Sequence, residues 1–263
     1  MNYKVIILAI PGIGTHEQGF SVHLKHDIQK FSRGTSLEDN YKIVEALPFQ
    51  NTGVDSNQSK LLKKLGQNNK LGGVFSMRKL VIEAFGDGVT FESGADRPNS
   101  VYQRVHEYLR ERIREINELK VQNEGAKIVI VAASMGVHLL STYIWDADNS
   151  IGTFKTNHAG ENENLTNLDY LFSIGCNIPL FISGKNIDEI KPINKRNPSF
   201  KWDNYYDRDD VLGWPLSDIN DDYGALVEDY EINTGAYIGS HIRYWKDNDF
   251  TKPFVKTLIE LID

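Results

Sequence analysis

Lys127-Ile-Val-Ile-Val-Ala-Ala-Ser-Met-Gly-Val-His138 is the stretch on which the reading of this chain turns. Up to Ala133 it is apolar and rich in β-branched residues, which suits a strand buried on both faces. From Met135 onward the pattern is helical. Between the two, Ser134 stands in small-x-Ser-x-Gly, Ala132-Ala133-Ser134-Met135-Gly136. A strand running through such a turn into a helix is the layout of a nucleophile elbow, with the serine on top of a strained turn. Small residues at 132 and 136 let strand and helix nearly touch. The competing reading makes Ser134 the N-cap of an ordinary helix.

Outward from this stretch, strands and helices alternate. Residues 4–10 read as a buried strand ended by Pro11-Gly12. Residues 19–32 have helical spacing, and 41–49 read as a second strand. Residues 50–75 are polar and rich in Asn, Gln and Gly, with a short helix expected over 76–85. Val101, Val105, Leu109, Ile113 and Ile116 mark a long amphipathic helix over 99–119, with Asn99 or Ser100 as its N-cap. A helix over 135–147 precedes an Asn-rich loop. Strands are expected over 169–174, 200–206 and 230–233, and a closing helix over 250–262. Apolar strands alternating with helices predict a mostly parallel sheet covered on both faces, in a single domain over 1–263. Residues 50–97 are expected to form a lid or cap excursion within it.

Composition bounds the function classes. The chain has 263 residues, 40% hydrophobic and 25% charged, as expected of a globular protein with a sizeable core. Its net charge of −7 leaves no basic excess for phosphates, so nucleic acid is not an expected partner. Cys176 is the only cysteine, which excludes an internal disulfide and fits a reducing compartment. The N-terminal run does not resemble a signal peptide, and no stretch has the ~20 apolar residues of a transmembrane helix. A cytoplasmic location is expected.

Serine-based ester cleavage needs an activated hydroxyl, a base oriented by an acid, and N–H groups facing the oxyanion. Each has a candidate after a predicted strand, where open α/β sheets place their ligands. Ser134 is the nucleophile candidate. Pro11-Gly12-Ile13-Gly14-Thr15 follows the first strand, and Ile13 and Met135 N–H are the expected oxyanion hole. Gly12 and Gly14 let that backbone approach a ligand, and His16 lies beside it. A dinucleotide fingerprint is excluded, because its third glycine would fall on Glu17; there is no Gly-Lys-Ser/Thr of a P-loop. Asp207, Asp209 and Asp210 compete as the acid, against a solvated acidic turn or a fragment of a calcium loop whose other ligands are missing. His241 is the base candidate, and the order Ser134, Asp210, His241 is one that such triads use. His138 is better explained by helix packing. His23 and His26 have metal-pair spacing but no evident third ligand, so no metal or cofactor is expected.

With these residues in place, the chain resembles the alpha/beta-hydrolase superfamily, specifically its lipase- and esterase-like members, over most of its length. Ala9-Ile10-Pro11-Gly12-Ile13-Gly14-Thr15 is similar to the family's His-Gly-Ile-Gly oxyanion segment, with Pro11 in place of the histidine. Gly86-Asp87-Gly88 is similar to a Gly-Asp stretch of some bacterial members. Ser173-Ile174-Gly175-Cys176-Asn177-Ile178-Pro179 resembles the family's Thr-x-Gly-x-Pro segment. Asp210-Val211-Leu212 resembles its Asp-Pro-Val stretch, which favours Asp210 as the acid. Ala132 replaces the first elbow glycine, and Ala133 the common histidine or aromatic.

The resemblance implies a three-layer α/β sandwich of about six strands, lacking the family's first two. It implies a serine hydrolase cleaving a carboxylic ester, with a lipid or phospholipid among the candidates. A non-catalytic binding protein of the same fold and an acyltransferase using the same triad are the alternatives. Leu71, Val74, Phe75, Met77, Phe181 and Ile182 are candidates for an apolar acyl site.

Overall fold

Val5–Ile10 forms strand β1, and every residue of it is buried. The computed structural model describes residues 2–12, 16–53, 60, 99–235 and 240–263. Alternate side chains of β1 enter two separate cores. Ile6, Leu8 and Ile10 join one, and Val5, Ile7 and Ala9 the other. That is the period-two geometry of a strand covered on both faces, and it explains the unbroken apolar run.

The remaining strands are β2 (Tyr41–Glu45), β3 (Lys127–Ala133), β4 (Tyr170–Ile174), β5 (Lys201–Asp207) and β6 (Val227–Ile232). They form one sheet in the order β2-β1-β3-β4-β5-β6, and every neighbouring pair is parallel. This is the three-layer α/β architecture expected from the sequence. Helices α1 (Val22–Phe31) and α7 (Asn248–Glu260) cover one face through Leu24, Ile28, Phe250, Phe254 and Leu258. Helices α3 (Val101–Gln122) and α4 (Met135–Asn149) cover the other, with α2 (Pro48–Asn51) and α5 (Ile178–Ile182) at its rim. A short α6 (Asp221–Gly224) precedes β6.

The long helix begins where its cap is, since Ser100 Oγ accepts from Gln103 N–H. The strand expected over 41–49 is shorter than its apolar run. It stops at Glu45, and Pro48 opens the single turn α2, because proline suits a helix start and has no N–H for a ladder. The helix expected over 76–85, Gly86-Asp87-Gly88 and most of the 50–97 excursion lie outside the described residues.

Register fixes where a site can form. Ile10 is level with Ala132, Ala133 with Ile174, and Asp207 with Ile232. The C-terminal ends of β1, β3, β4, β5 and β6 therefore share one edge, and the loops leaving them meet there.

Candidate active site

Ser134 follows the last residue of β3 and precedes the first of α4, at φ 50° and ψ −124°. A positive φ on a residue with a Cβ costs about 1–3 kcal/mol and persists only where the surroundings impose it. Here they do. Ser134 N–H donates to Ile174 O on β4 at 2.9 Å, and Ser134 O accepts from Val137 N–H at 3.0 Å. The hydroxyl does not cap α4, so the plain N-cap reading does not describe it.

Two glycines make room for this turn. A Cβ on Gly12 would lie 2.6 Å from Ser134 Cβ, and one on Gly136 would lie 2.5 Å from Pro11 O and 3.0 Å from Ile10 O. Backbone cannot yield as a side chain can. Gly136→Ala is expected to push α4 off the end of β1 and to cost about 1–3 kcal/mol of stability, read by denaturant unfolding. A variant as stable as wild type would show that the elbow has slack. Ala132 is fully buried, so the chain tolerates a methyl at the first elbow position.

His241 lies on a short 3₁₀ turn, Ser240–Ile242, beyond β6. Its Nε2 is 2.6 Å from Ser134 Oγ, and its Nδ1 is 2.8 Å from Asp210 Oδ2. A carboxylate only accepts, so Nδ1 carries the hydrogen and Nε2 offers its lone pair to the Ser134 hydroxyl. The Ser134 residue is 3% exposed, and the Asp210 and His241 side chains are 1% and 10% exposed, so water screens this chain of bonds little.

The three competing aspartates separate cleanly. Asp209 is exposed. Asp207 is buried but engaged elsewhere, accepting from Thr234 N–H, Thr234 Oγ1–H and Asp209 N–H. Burial alone would raise its pKa, but these hydrogen bonds hold it below the usual carboxylate range. Asp210 is the one that reaches His241. Its Oδ1 accepts from Leu212 N–H at 3.0 Å, and its Oδ2 accepts from Tyr244 O–H at 2.9 Å. Its cradle is built by absence, since a Cβ on Gly213 would lie 2.4 Å from Oδ2.

Tyr244 is a partner that sequence reading missed. Its hydroxyl donates to Asp210 and accepts from Asp207 N–H at 2.9 Å. Burial, and then the Asp210 charge, hold its pKa far above the ordinary phenol value, so it stays a donor. Tyr244→Phe would strand Asp207 N–H and remove one partner of Asp210. We expect a stability loss of about 1–3 kcal/mol in urea unfolding. An unchanged midpoint would mean that water replaces the hydroxyl.

Met135 opens α4, where its N–H has no intrahelical partner. Ile13 and Gly14 lie outside the described residues, as do Leu71, Val74, Phe75 and Met77. Gly12 and His16 line one small hollow with Leu47, Pro48 and Phe49, and the His16 ring meets Phe20 edge to face. Phe181 and Ile182 are partly buried against the core, and Phe181 stacks on His138 at 4.0 Å. His138 thus packs against α5, as its helix position suggested. Asn177, also unforeseen, places Nδ2 3.5 Å from Ser134 Oγ.

His23 and His26 stand exposed on α1. Among the described residues no three His, Cys, Asp or Glu side chains come together as a metal site, and no helix is long and apolar enough to cross a membrane. Cys176 is buried, and burial pushes its thiol up to about 12, so it is a poor nucleophile.

No protein-family model matches the chain, and no curated protein matches its sequence. Among solved structures, an uncharacterized protein from Bacillus cereus ATCC 10987 is similar over 100% of this chain and 60% of its own, with a TM-score of 0.49 and 11% identity. The chain therefore spans 60% of that protein's length. A cutinase-like protein from Cryptococcus sp. is similar over 98% of this chain and 95% of its own, with a TM-score of 0.42 and 10% identity.

Proposed function

We propose that this chain is a serine hydrolase that cleaves carboxylic esters through an acyl-enzyme, with Ser134, His241 and Asp210 as its triad. One observation carries the reading: His241 bridges Ser134 Oγ and Asp210 Oδ2 at 2.6 and 2.8 Å, at the top of a strained strand-to-helix turn. A serine with φ near +50° and a buried carboxylate behind the histidine are costly for a protein with no use for them.

In this reading His241 Nε2 takes the Ser134 proton as Oγ bonds to the ester carbonyl carbon. The carbonyl π electrons move to oxygen, and the oxyanion meets Met135 N–H together with Ile13 N–H. Collapse of the tetrahedral species breaks the bond to the alcohol oxygen, which leaves with the proton from His241. Water then repeats the sequence on the acyl-enzyme. It gives its proton to His241, and Ser134 recovers one as the carboxylic acid departs. Asp210 holds the Nδ1–H tautomer and faces the positive charge that forms on the ring. No cofactor or metal enters these steps.

The test is direct. Wild-type protein is expected to hydrolyse p-nitrophenyl esters and to be labelled by a fluorophosphonate on the peptide that carries Ser134, read by mass spectrometry. Absence of both, or labelling at another residue, removes the reading. A series of acyl lengths then separates short-chain esters from lipids.

A further inference from the structure

Asn177 is the residue the triad leaves unexplained. It occupies the N-cap position of α5 but makes no capping bond, since Pro179 has no N–H and Leu180 N–H donates to the Asn177 backbone carbonyl at 3.0 Å. Instead it is 3% exposed and turns Nδ2 toward Ser134 Oγ at 3.5 Å. Its Oδ1 is buried with no hydrogen-bond partner among the described residues. A fold keeps an unpaired buried carbonyl, which costs about 1–3 kcal/mol, only under some other demand.

The loop that carries Asn177 is held rigidly on both sides. Gly175 N–H donates to Tyr205 O at 2.9 Å, and Cys176 O accepts from Trp214 N–H at 2.9 Å. Gly175 has φ 55°, and a Cβ there would lie 2.7 Å from Tyr244 Cε2. One turn beyond Asn177, Phe181 stacks on His138, which lies one turn beyond Ser134. The two helix starts are thus locked side by side, with Asn177 facing Ser134 across the seam.

We infer that Asn177 is a positioning residue for the Ser134 hydroxyl. This rests on the serine hydrolase reading. The Ser134 O–H donates to His241, and Oγ keeps lone pairs that accept from Asn177 Nδ2–H. That contact selects the rotamer in which the hydroxyl faces the imidazole. As the proton leaves and negative charge grows on Oγ, a long ground-state contact of this kind shortens and strengthens. The orphaned Oδ1 is what the fold gives up to keep the amide in this orientation.

The experiment compares wild type with Asn177→Leu, which keeps the size and removes both polar atoms. A small alkyl fluorophosphonate is the probe, with p-nitrophenyl butyrate turnover and thermal melting measured alongside. Losing one net hydrogen bond to the reacting oxygen converts to about a tenfold slower labelling of Ser134. In turnover the loss should fall on kcat with KM unchanged. The melting temperature should equal or exceed that of wild type, because the unpaired oxygen is gone.

Labelling within twofold of wild type overturns the inference, and so does a lower melting temperature, which would make Asn177 a support of the fold. Should Asn177→Leu fail to fold, Asn177→Asp makes the comparison, since its ionised carboxylate has no hydrogen to donate; wild-type labelling there, or failure of this variant to fold as well, overturns the inference. Wild type that takes no label at all removes the hydrolase reading and this inference with it, whereas labelled wild type with an equally fast variant removes only this one.

Discussion

Ser134→Ala is expected to lower kcat for ester hydrolysis by roughly 10⁶-fold and to abolish fluorophosphonate labelling. The methyl group leaves the imidazole with nothing to deprotonate, while any turnover from binding and oxyanion contacts survives. A second variant separates chemistry from strain. Ser134→Gly is equally inactive, but glycine enters the positive-φ region without the Cβ clash. It should therefore melt higher than Ser134→Ala, by a margin on the order of 1 kcal/mol, because φ at this position is 50°. Retained turnover in the alanine variant would sink the nucleophile assignment. Equal melting of the two would show that the turn is not strained.

Asp210→Asn carries the second large effect, a fall in kcat of about 10⁴-fold with the fold intact. An amide at this position presents either N–H or C=O to His241 Nδ1. Tyr244 O–H and Leu212 N–H already donate to the two carboxylate oxygens, so an amide nitrogen would face at least one of these donors. The position facing His241 then no longer enforces the Nδ1–H tautomer, and the charge opposite the forming imidazolium is gone. Asp209→Asn is the control. Its side chain is exposed, and kcat should stay within twofold of wild type, or about 0.4 kcal/mol in barrier. If the Asp209 variant were the one to lose activity, the acid would be misassigned.

The depth of that second effect follows from burial. An exposed acid would share its role with water and counterions. Asp210 is enclosed by Gly213 and Tyr244, so nothing mobile replaces its charge.

Much of the architecture was legible in local patterns. The β1 and β3 runs are apolar at every position because both faces of those strands are covered, and that is visible residue by residue. The α3 stripe has helical spacing because one side of it meets the sheet. The turn at Ser134 was legible for a similar reason: small residues at 132 and 136 record how closely the helix start approaches β1. The run over 41–49 misled at its end, because Pro48 closes a strand and starts a helix with equal ease.

What the sequence determined by itself was therefore the six strands and the four long helices, their parallel stacking, and a short roll of candidate groups for acyl chemistry. Those properties depend on periodicity and on side-chain size within a few residues. Only the tertiary structure decided which groups meet. His241 reaches Ser134 across 107 positions of chain, and Tyr244 reaches Asp210 across 34. Nothing in the local pattern around Asp207, Asp209 and Asp210 ranks their burial, because that is set by the glycines and the tyrosine that close over one of them. Asn177 was invisible for the same reason. Only the packing of α5 against α4 turns its side chain toward the serine.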